Sequence, residues 1–270
     1  MNTSEYAKLS AVEERHWFYS GKRAIVRHWL QRAGPLKASD LLVDCGAGTG
    51  RFVEEMTSVC RAIALDDHAE SLLIARGKLG GDRVVEGRCT DLPFPDSSAD
   101  AITALDVLEH VDRDDLAVKE FARVLKPGGL LAVTVPALPA LWSDWDVVLH
   151  HHRRYTKRTL LALLSHPSFE LLHWNYVNVA ALPAVWLVRM VRKLRKGTAT
   201  VAGARAEDSI PPEPLNRLLR WLFVTFACQG FVHFPLGVGL LGVWRRAPST
   251  APKHIASGQT STSTPVIIGS

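Results

Sequence analysis

"LLVDCGAGTGRF", residues 41–52, runs from an apolar segment straight into three glycines spaced two apart. Glycine reaches positive φ and lets a backbone approach a ligand closely, at an entropic cost that a triple run would not repeat without such a need. Asp44 stands where the apolar segment ends, and Gly46, Gly48 and Gly50 follow it. A dinucleotide fingerprint would read G-x-G-x-x-G, but Arg51 stands three residues after Gly48, so the register is G-x-G-x-G and a nicotinamide dinucleotide is disfavoured. The next apolar run ends in an acid, Asp66. There a carboxylate can accept both hydroxyls of a ribose, with Asp67 as the neighbouring alternative and a helix N-cap as the purely structural role for either.

Working outward, residues 40–46, 61–66, 82–88, 100–106 and 129–136 read as short buried strands. Helical patterns lie between them, notably Leu116, Phe121 and Leu125, begun by Asp112 or Asp114 and stopped by "KPGG". Repeated βα units of this kind predict an α/β fold with a doubly wound, mostly parallel sheet. Its ligands bind outside the carboxyl ends of the strands, at the switch point where the glycine loop sits. Residues 168–177 and 237–246 read as sixth and seventh strands, with an apolar helical insertion between them.

The chain has 270 residues, 47% of them hydrophobic, which is enough for one substantial core. Its four cysteines, Cys45, Cys60, Cys89 and Cys228, form no C-x-x-C pair, and "MNTSEYAKLS" has no apolar signal core. A reducing cytoplasm is therefore expected, without disulfides, a zinc site or secretion. Charge is uneven. Residues 1–150 carry 17 Lys/Arg against 23 Asp/Glu, and residues 151–270 carry 15 against 4, a net +11. The basic half reads either as ordinary helix surface or as a face for anionic partners such as phospholipid headgroups.

These motifs together resemble the class I S-adenosylmethionine-dependent methyltransferases, in the group with type 11 or type 12 methyltransferase domains. "VDCGAGTG" is similar to the family's cofactor loop, "ALDD" to its ribose acid, and residues 91–136 to its middle segment throughout. The resemblance implies a seven-stranded Rossmann-like fold and S-adenosyl-L-methionine as cofactor. It places Gly46, Ala47, Gly48 and Gly50 against the methionine part, Asp66 on the ribose, and Asp106 near the amino group and the transferring methyl. Where the family often has Gly-Asp-Ala before "LPF", this chain has "GRC", with Arg88 in the acid's place. Asp91 or the backbone amide of Cys89 is then left to read adenine, and Arg88 either makes a new contact or points to solvent.

Two stretches resemble one bacterial subset. "ERHWFYSGKR" (14–23) is similar to an N-terminal helix that lays His16, Trp17 and Arg23 over the cofactor mouth, although Trp17 and Phe18 equally suit a packing face. "LWSDWDVVLHHHRRYT" (141–156) matches a W-S-x-x-D…H-x-R-R-Y-T pattern, with His151 at the histidine position and His150 replacing a glycine. Three adjacent histidines cannot all converge on one ion, so no metal is expected. Imidazole titrates near neutral pH, which makes His151 a candidate base for a hydroxyl nucleophile, with Tyr155 and Asp146 orienting it. The alternative is that His151 only ties the loop to Asp146.

The expected organisation is N-terminal cap helices over 1–37, a cofactor-binding core over 38–178, an apolar and basic insertion over 179–236, a final strand over 237–246 that pairs antiparallel at the sheet edge, and a disordered tail over 247–270. Gln229, Gly230, His233 and Pro235 interrupt the uncharged run 221–244, so the insertion reads as a substrate lid or an interfacial membrane contact through Trp186, Trp221 and Phe226 beside Arg189, Arg192, Lys193 and Arg195, and not as a span. The predicted activity is methyl transfer to a small or lipid-linked acceptor, at oxygen. A catalytically inactive cofactor-binding scaffold is the alternative. Nucleic acid is not an expected acceptor, because no Asn-Pro-Pro-Tyr-like motif or aromatic-rich basic patch is visible.

Overall fold

The computed structural model describes residues 10–165, 168–194 and 209–248. Seven strands form one sheet: β1 (Leu41–Cys45), β2 (Arg61–Asp66), β3 (Val84–Glu86), β4 (Ala99–Leu105), β5 (Leu125–Pro136), β6 (Phe169–Val177) and β7 (Gly239–Arg246). Their order is β3-β2-β1-β4-β5-β7-β6, with β7 antiparallel to both neighbours and the other pairings parallel. The antiparallel final strand is thus as expected, but its place is not. β7 lies inside the sheet and β6 forms the edge. The burial pattern gives the reason: Leu240, Leu241, Val243 and Trp244 are all buried, which requires cover on both faces, whereas the first residues of β6 are partly exposed.

Adjacent residues of the central strands feed opposite cores. Val43, Ile102 and Leu131 pack with Ala117, Val118 and Phe121 of helix α4 (Asp114–Val124) on one face. Leu42, Ala101 and Leu130 pack with Ile25, Val26, Trp29 and Leu30 of α1 (Trp17–Ala33) on the other. Such strands are apolar without alternation because both faces are covered. "KPGG" ends α4, but it also belongs to β5, which begins at Leu125. Helices α2 (Arg51–Met56) and α3 (Ala69–Leu79) follow the first two strands, and the short α5 (Asp144–Val148) and α6 (Lys157–Leu163) follow β5.

Between β6 and β7 lie α7 (Leu182–Leu194) and α8 (Glu213–Ala227). One side of α8 packs on α1: Phe223 stacks on Phe18, Trp29 Nε1 donates to the Ala227 carbonyl at 2.9 Å, and Asn216 Oδ1 accepts from the Trp17 amide at 2.9 Å. The opposite side leaves Leu215, Leu218, Trp221 and Phe226 exposed, and α7 exposes Trp186, Leu187 and Val188. Among the described residues, no helix is long and apolar enough to cross a membrane. The expected tail lies outside the described residues from 249 onward, as do Arg195 and the side chains of Arg192 and Lys193.

Candidate functional site

A cavity of about 1030 Å³ opens over the carboxyl ends of β1, β2 and β4, walled by the glycine loop, α1, α7 and the segment after β5. Gly46, Gly48 and Gly50 all adopt positive φ. A Cβ on Gly46 would stand 2.5 Å from Val107 Cγ2, and one on Gly50 would stand 2.8 Å from Leu79 Cδ1, so core packing excludes side chains at both. At Gly48 no protein atom lies within 4 Å of the missing Cβ, so the loop there turns bare backbone toward the cavity. Asp44, Ala47, Asp66, Asp67 and Cys89 also line it, whereas Gly50 sits behind the loop as the N-cap of α2.

Asp66 fixes this loop. Its Oδ2 accepts from the Gly48 amide at 2.8 Å, and its Oδ1 accepts from Ser71 Oγ at 2.6 Å and the His68 amide at 3.0 Å. Asp67 is half-exposed, 2.9 Å from His68 Nδ1 and 3.7 Å from Arg88 Nε. Arg88 itself is mostly solvent-exposed, the second of its two expected positions. Asp44 is buried and accepts from Thr103 Oγ1 at 2.5 Å. Burial pushes its carboxyl up to about 7 against that hydrogen bond, with the nearby Asp66 adding to the rise.

At the other end stands Asp106, held at φ 56°, a left-handed conformation that a non-glycine residue adopts at a cost. Lys22 of α1 ion-pairs with its Oδ2, and Thr134 Oγ1 donates to its Oδ1 at 2.8 Å. Burial alone would raise this carboxyl, but the Lys22 ammonium outweighs it and keeps the acid ionised. Sequence reasoning missed Lys22, although it lies inside the quoted stretch 14–23. Of the three residues expected over the mouth, only Arg23 lines the cavity, and its guanidinium is engaged by Glu55 Oε1 at 2.9 Å and the Glu13 carbonyl at 2.8 Å. His16 caps α1 by accepting from the Phe18 amide, and the Trp17 ring meets Phe223 edge-on at 5.7 Å. Trp17 and Phe18 form the expected packing face against Phe223 of α8, and Phe18 also lines the cavity.

A further wall of the cavity is built on α5. Ser143 and Asp146 form a capping box, with the Ser143 amide donating to Asp146 Oδ2 at 2.9 Å. The Oδ1 of Asp146 lies 3.0 Å from His151 Nδ1 and accepts from Arg154 Nη1 at 2.7 Å, while Arg189 of α7 approaches Oδ2 at 3.5 Å. Burial pushes Asp146 up, but the His151 hydrogen bond and the Arg154 charge overcome it and hold the acid well below the usual carboxylate range. His150 and His152 are exposed, so the three adjacent histidines do diverge. Tyr155 does not join His151. Its hydroxyl is buried 2.7 Å from Asp114 Oδ2 and 3.1 Å from the Leu108 carbonyl, so the tyrosine ties the loop to the base of α4, and the side chain in contact with His151 is Asp146. Facing His151 are two further residues that the sequence did not single out, Glu109 and His110, from the turn after β4.

The bare loop beside two acids and the ionised Asp106 at the far end suit an elongated ligand with hydroxyls near one end and a cationic amine at the other, where the Lys22 ammonium now sits. Residues 43–133 match the methyltransferase domain family. The chain is 30% identical over 177 residues to a demethylmenaquinone methyltransferase of Clavibacter sepedonicus, covering 63% of this chain and 66% of that protein. It is 36% identical over 116 residues to a "Probable tRNA methyltransferase 9B" of Bos taurus, covering 42% and 24%. Among solved structures, it is similar to geranyl diphosphate C-methyltransferase from Streptomyces coelicolor in complex with Mg2+, geranyl diphosphate and S-adenosyl-L-homocysteine, at TM-score 0.55 and 16% identity, covering 81% of this chain and 77% of that one. The chain spans about two thirds or less of the length of the curated relatives it matches.

Proposed function

We propose, from the premise that this chain belongs to the class I S-adenosylmethionine-dependent methyltransferases, that it is an enzyme transferring the methyl of S-adenosyl-L-methionine to an acceptor held between α7 and the α5 loop. The observation that carries the reading is the glycine loop, open at Gly48 and pinned by Asp66, in line with an ionised Asp106. The bound sulfonium supplies an already activated methyl, so the protein's task is alignment and exclusion of water. Gly46, Ala47 and Gly48 lie along the methionine part, and Asp106 receives its amino group as Lys22 moves aside. The ribose hydroxyls fall to Asp67 and to what remains of Asp66, since the latter's oxygens already take three hydrogen bonds. The backbone at Cys89 lies where adenine sits.

His151 is the residue that acts on the acceptor. Its Nδ1 is spent on Asp146, which leaves Nε2 to meet a hydroxyl and promote loss of its proton, the oxygen reading of the acceptor. Relatives that methylate carbon or tRNA leave the class of nucleophile to experiment. Calorimetric titration tests the premise: S-adenosyl-L-methionine binds the wild-type chain one to one, and Asp67→Ala weakens it about tenfold, roughly 1.4 kcal/mol, without loss of thermal stability. Asp66→Ala weakens binding and also lowers the unfolding temperature, because it frees the loop. A wild-type chain that gives no heat with this cofactor would sink the assignment.

A second reading concerns the acceptor's body. Val185 and Val188 of α7 and Phe223 of α8 give the mouth apolar walls, and the outer faces of both helices expose Trp186, Leu187, Leu218 and Trp221 next to Arg217 and Arg220. This combination suits a lid that rests on an anionic membrane and receives a lipid-linked acceptor. In flotation, the protein rises with vesicles containing acidic lipid, and Leu218→Ser with Trp221→Ser halves the recovery or worse. Equal recovery on neutral vesicles, or none on either, counts against it.

A further inference from the structure

We infer that Glu109, His110 and His151 form a binding site for one divalent transition-metal ion on the acceptor side of the cavity, which deepens the methyltransferase reading by giving that acceptor a ligand for its oxygen. One carboxylate oxygen of Glu109 and one ring nitrogen from each histidine lie within 4.8 Å of one another. The rings of His110 and His151 stand nearly perpendicular, 4.7 Å apart, and are not stacked. Ligands about 2.1 Å from a common ion sit about 3.0 Å apart in an octahedral set and about 3.4 Å apart in a tetrahedral one, so side-chain rotations close this set around an ion.

Glu109 supplies the independent reason. It is 1% exposed, and its Oε2 has no hydrogen-bond partner. A buried carboxyl oxygen without a partner is costly. Among the described residues, the nearby Lys22 ammonium is committed to Asp106. A cation would satisfy the orphaned oxygen.

The outer residues are those a metal site uses. Asp146 accepts from His151 Nδ1, which fixes the ring and leaves Nε2 for the ion, the carboxylate–histidine–metal arrangement that raises ligand basicity. The His152 amide donates to the Glu109 carbonyl at 2.7 Å, so the two ligand-bearing loops are clamped together. Two imidazoles and one carboxylate favour zinc, iron, cobalt or manganese over magnesium or calcium. Three protein ligands leave coordination positions open for the acceptor. An acceptor hydroxyl there has its pKa lowered and gives its proton to solvent; its oxygen pair then forms the new bond to the methyl carbon as the sulfur–methyl bond breaks with its pair left on sulfur. On this assignment His151 acts on the acceptor through the ion, and the favoured acceptors carry a hydroxyl beside a second oxygen.

The test needs no turnover. Tag-free full chain, stripped with EDTA, is titrated with Zn2+ and separately with Co2+, and S-adenosyl-L-methionine binding is measured on the same samples. The wild type takes up one ion, and the cobalt form shows d–d absorption of a nitrogen-ligated site. Glu109→Gln and His110→Ala each weaken uptake about 100-fold or more while cofactor affinity holds. His68→Ala serves as control, because Asp66, Asp67 and His68 form the other acid–histidine group among the described residues. A wild type that binds the cofactor but no stoichiometric ion overturns the site, as does uptake lost in His68→Ala and kept in Glu109→Gln. Ion uptake without cofactor binding would instead overturn the methyltransferase reading and leave the site standing.

Discussion

His151→Ala lowers kcat about 100-fold to 10,000-fold with an identified acceptor while leaving the affinity for S-adenosyl-L-methionine unchanged. The expectation rests on position. His151 lines the cavity on the α5 side, opposite the glycine loop, and its outer nitrogen is fixed by Asp146. Removing the imidazole takes away whatever loosens the acceptor's proton, by direct removal or through an ion, and touches nothing that holds the cofactor. Asp146→Asn keeps the shape of the side chain but removes the charge that faces both His151 and Arg154, so it costs part of the same rate and some stability. His150→Ala and His152→Ala, both at exposed positions, change the rate little. The measurement is steady-state kinetics of the five proteins from pH 6 to pH 9. If the His151→Ala loss appears only in KM, the histidine merely positions the loop.

Gly48→Ala is expected to fold and to lose about 100-fold in cofactor affinity, roughly 3 kcal/mol. Its φ of 56° costs an alanine about 1 kcal/mol, which a domain of this size survives. The new methyl meets no protein atom within 4 Å and therefore occupies the space of the ligand. Gly46→Ala gives the opposite pattern. Its Cβ would strike Val107 at 2.5 Å, so the loss is in folding, read as a lower unfolding temperature or insoluble protein. Calorimetry and thermal unfolding of both variants separate the two. Wild-type affinity in a folded Gly48→Ala chain would mean that the ligand does not lie against this loop.

The sequence by itself determined the elements and their chemistry at short range. The five parallel strands were legible because a strand covered on both faces must be apolar along its whole length, and the loop because only glycine tolerates three positive φ angles in five residues. Asp66 followed from ending such a strand, Asp106 from the family resemblance, and the link between Asp146 and His151, five residues apart, from one short loop. The tertiary structure alone decided what distant segments do to one another. A lysine on an amphipathic helix reads as surface until α1 is laid across β4 and brings Lys22 to Asp106, 84 residues away. Trp17 reads equally as cofactor lid and as packing face until α8 covers it. Glu109 and His110 look like the unremarkable end of a strand, and Tyr155 like a partner of its neighbours, until the turn after β4 folds against the α5 loop, takes the tyrosine's hydroxyl to Asp114 and sets the two residues before His151. The final strand's place between β5 and β6 was hidden for the same reason: apolarity and φ preference are properties of a few consecutive residues, whereas strand order and ion pairing are fixed by which of many distant surfaces the whole chain can bury at once.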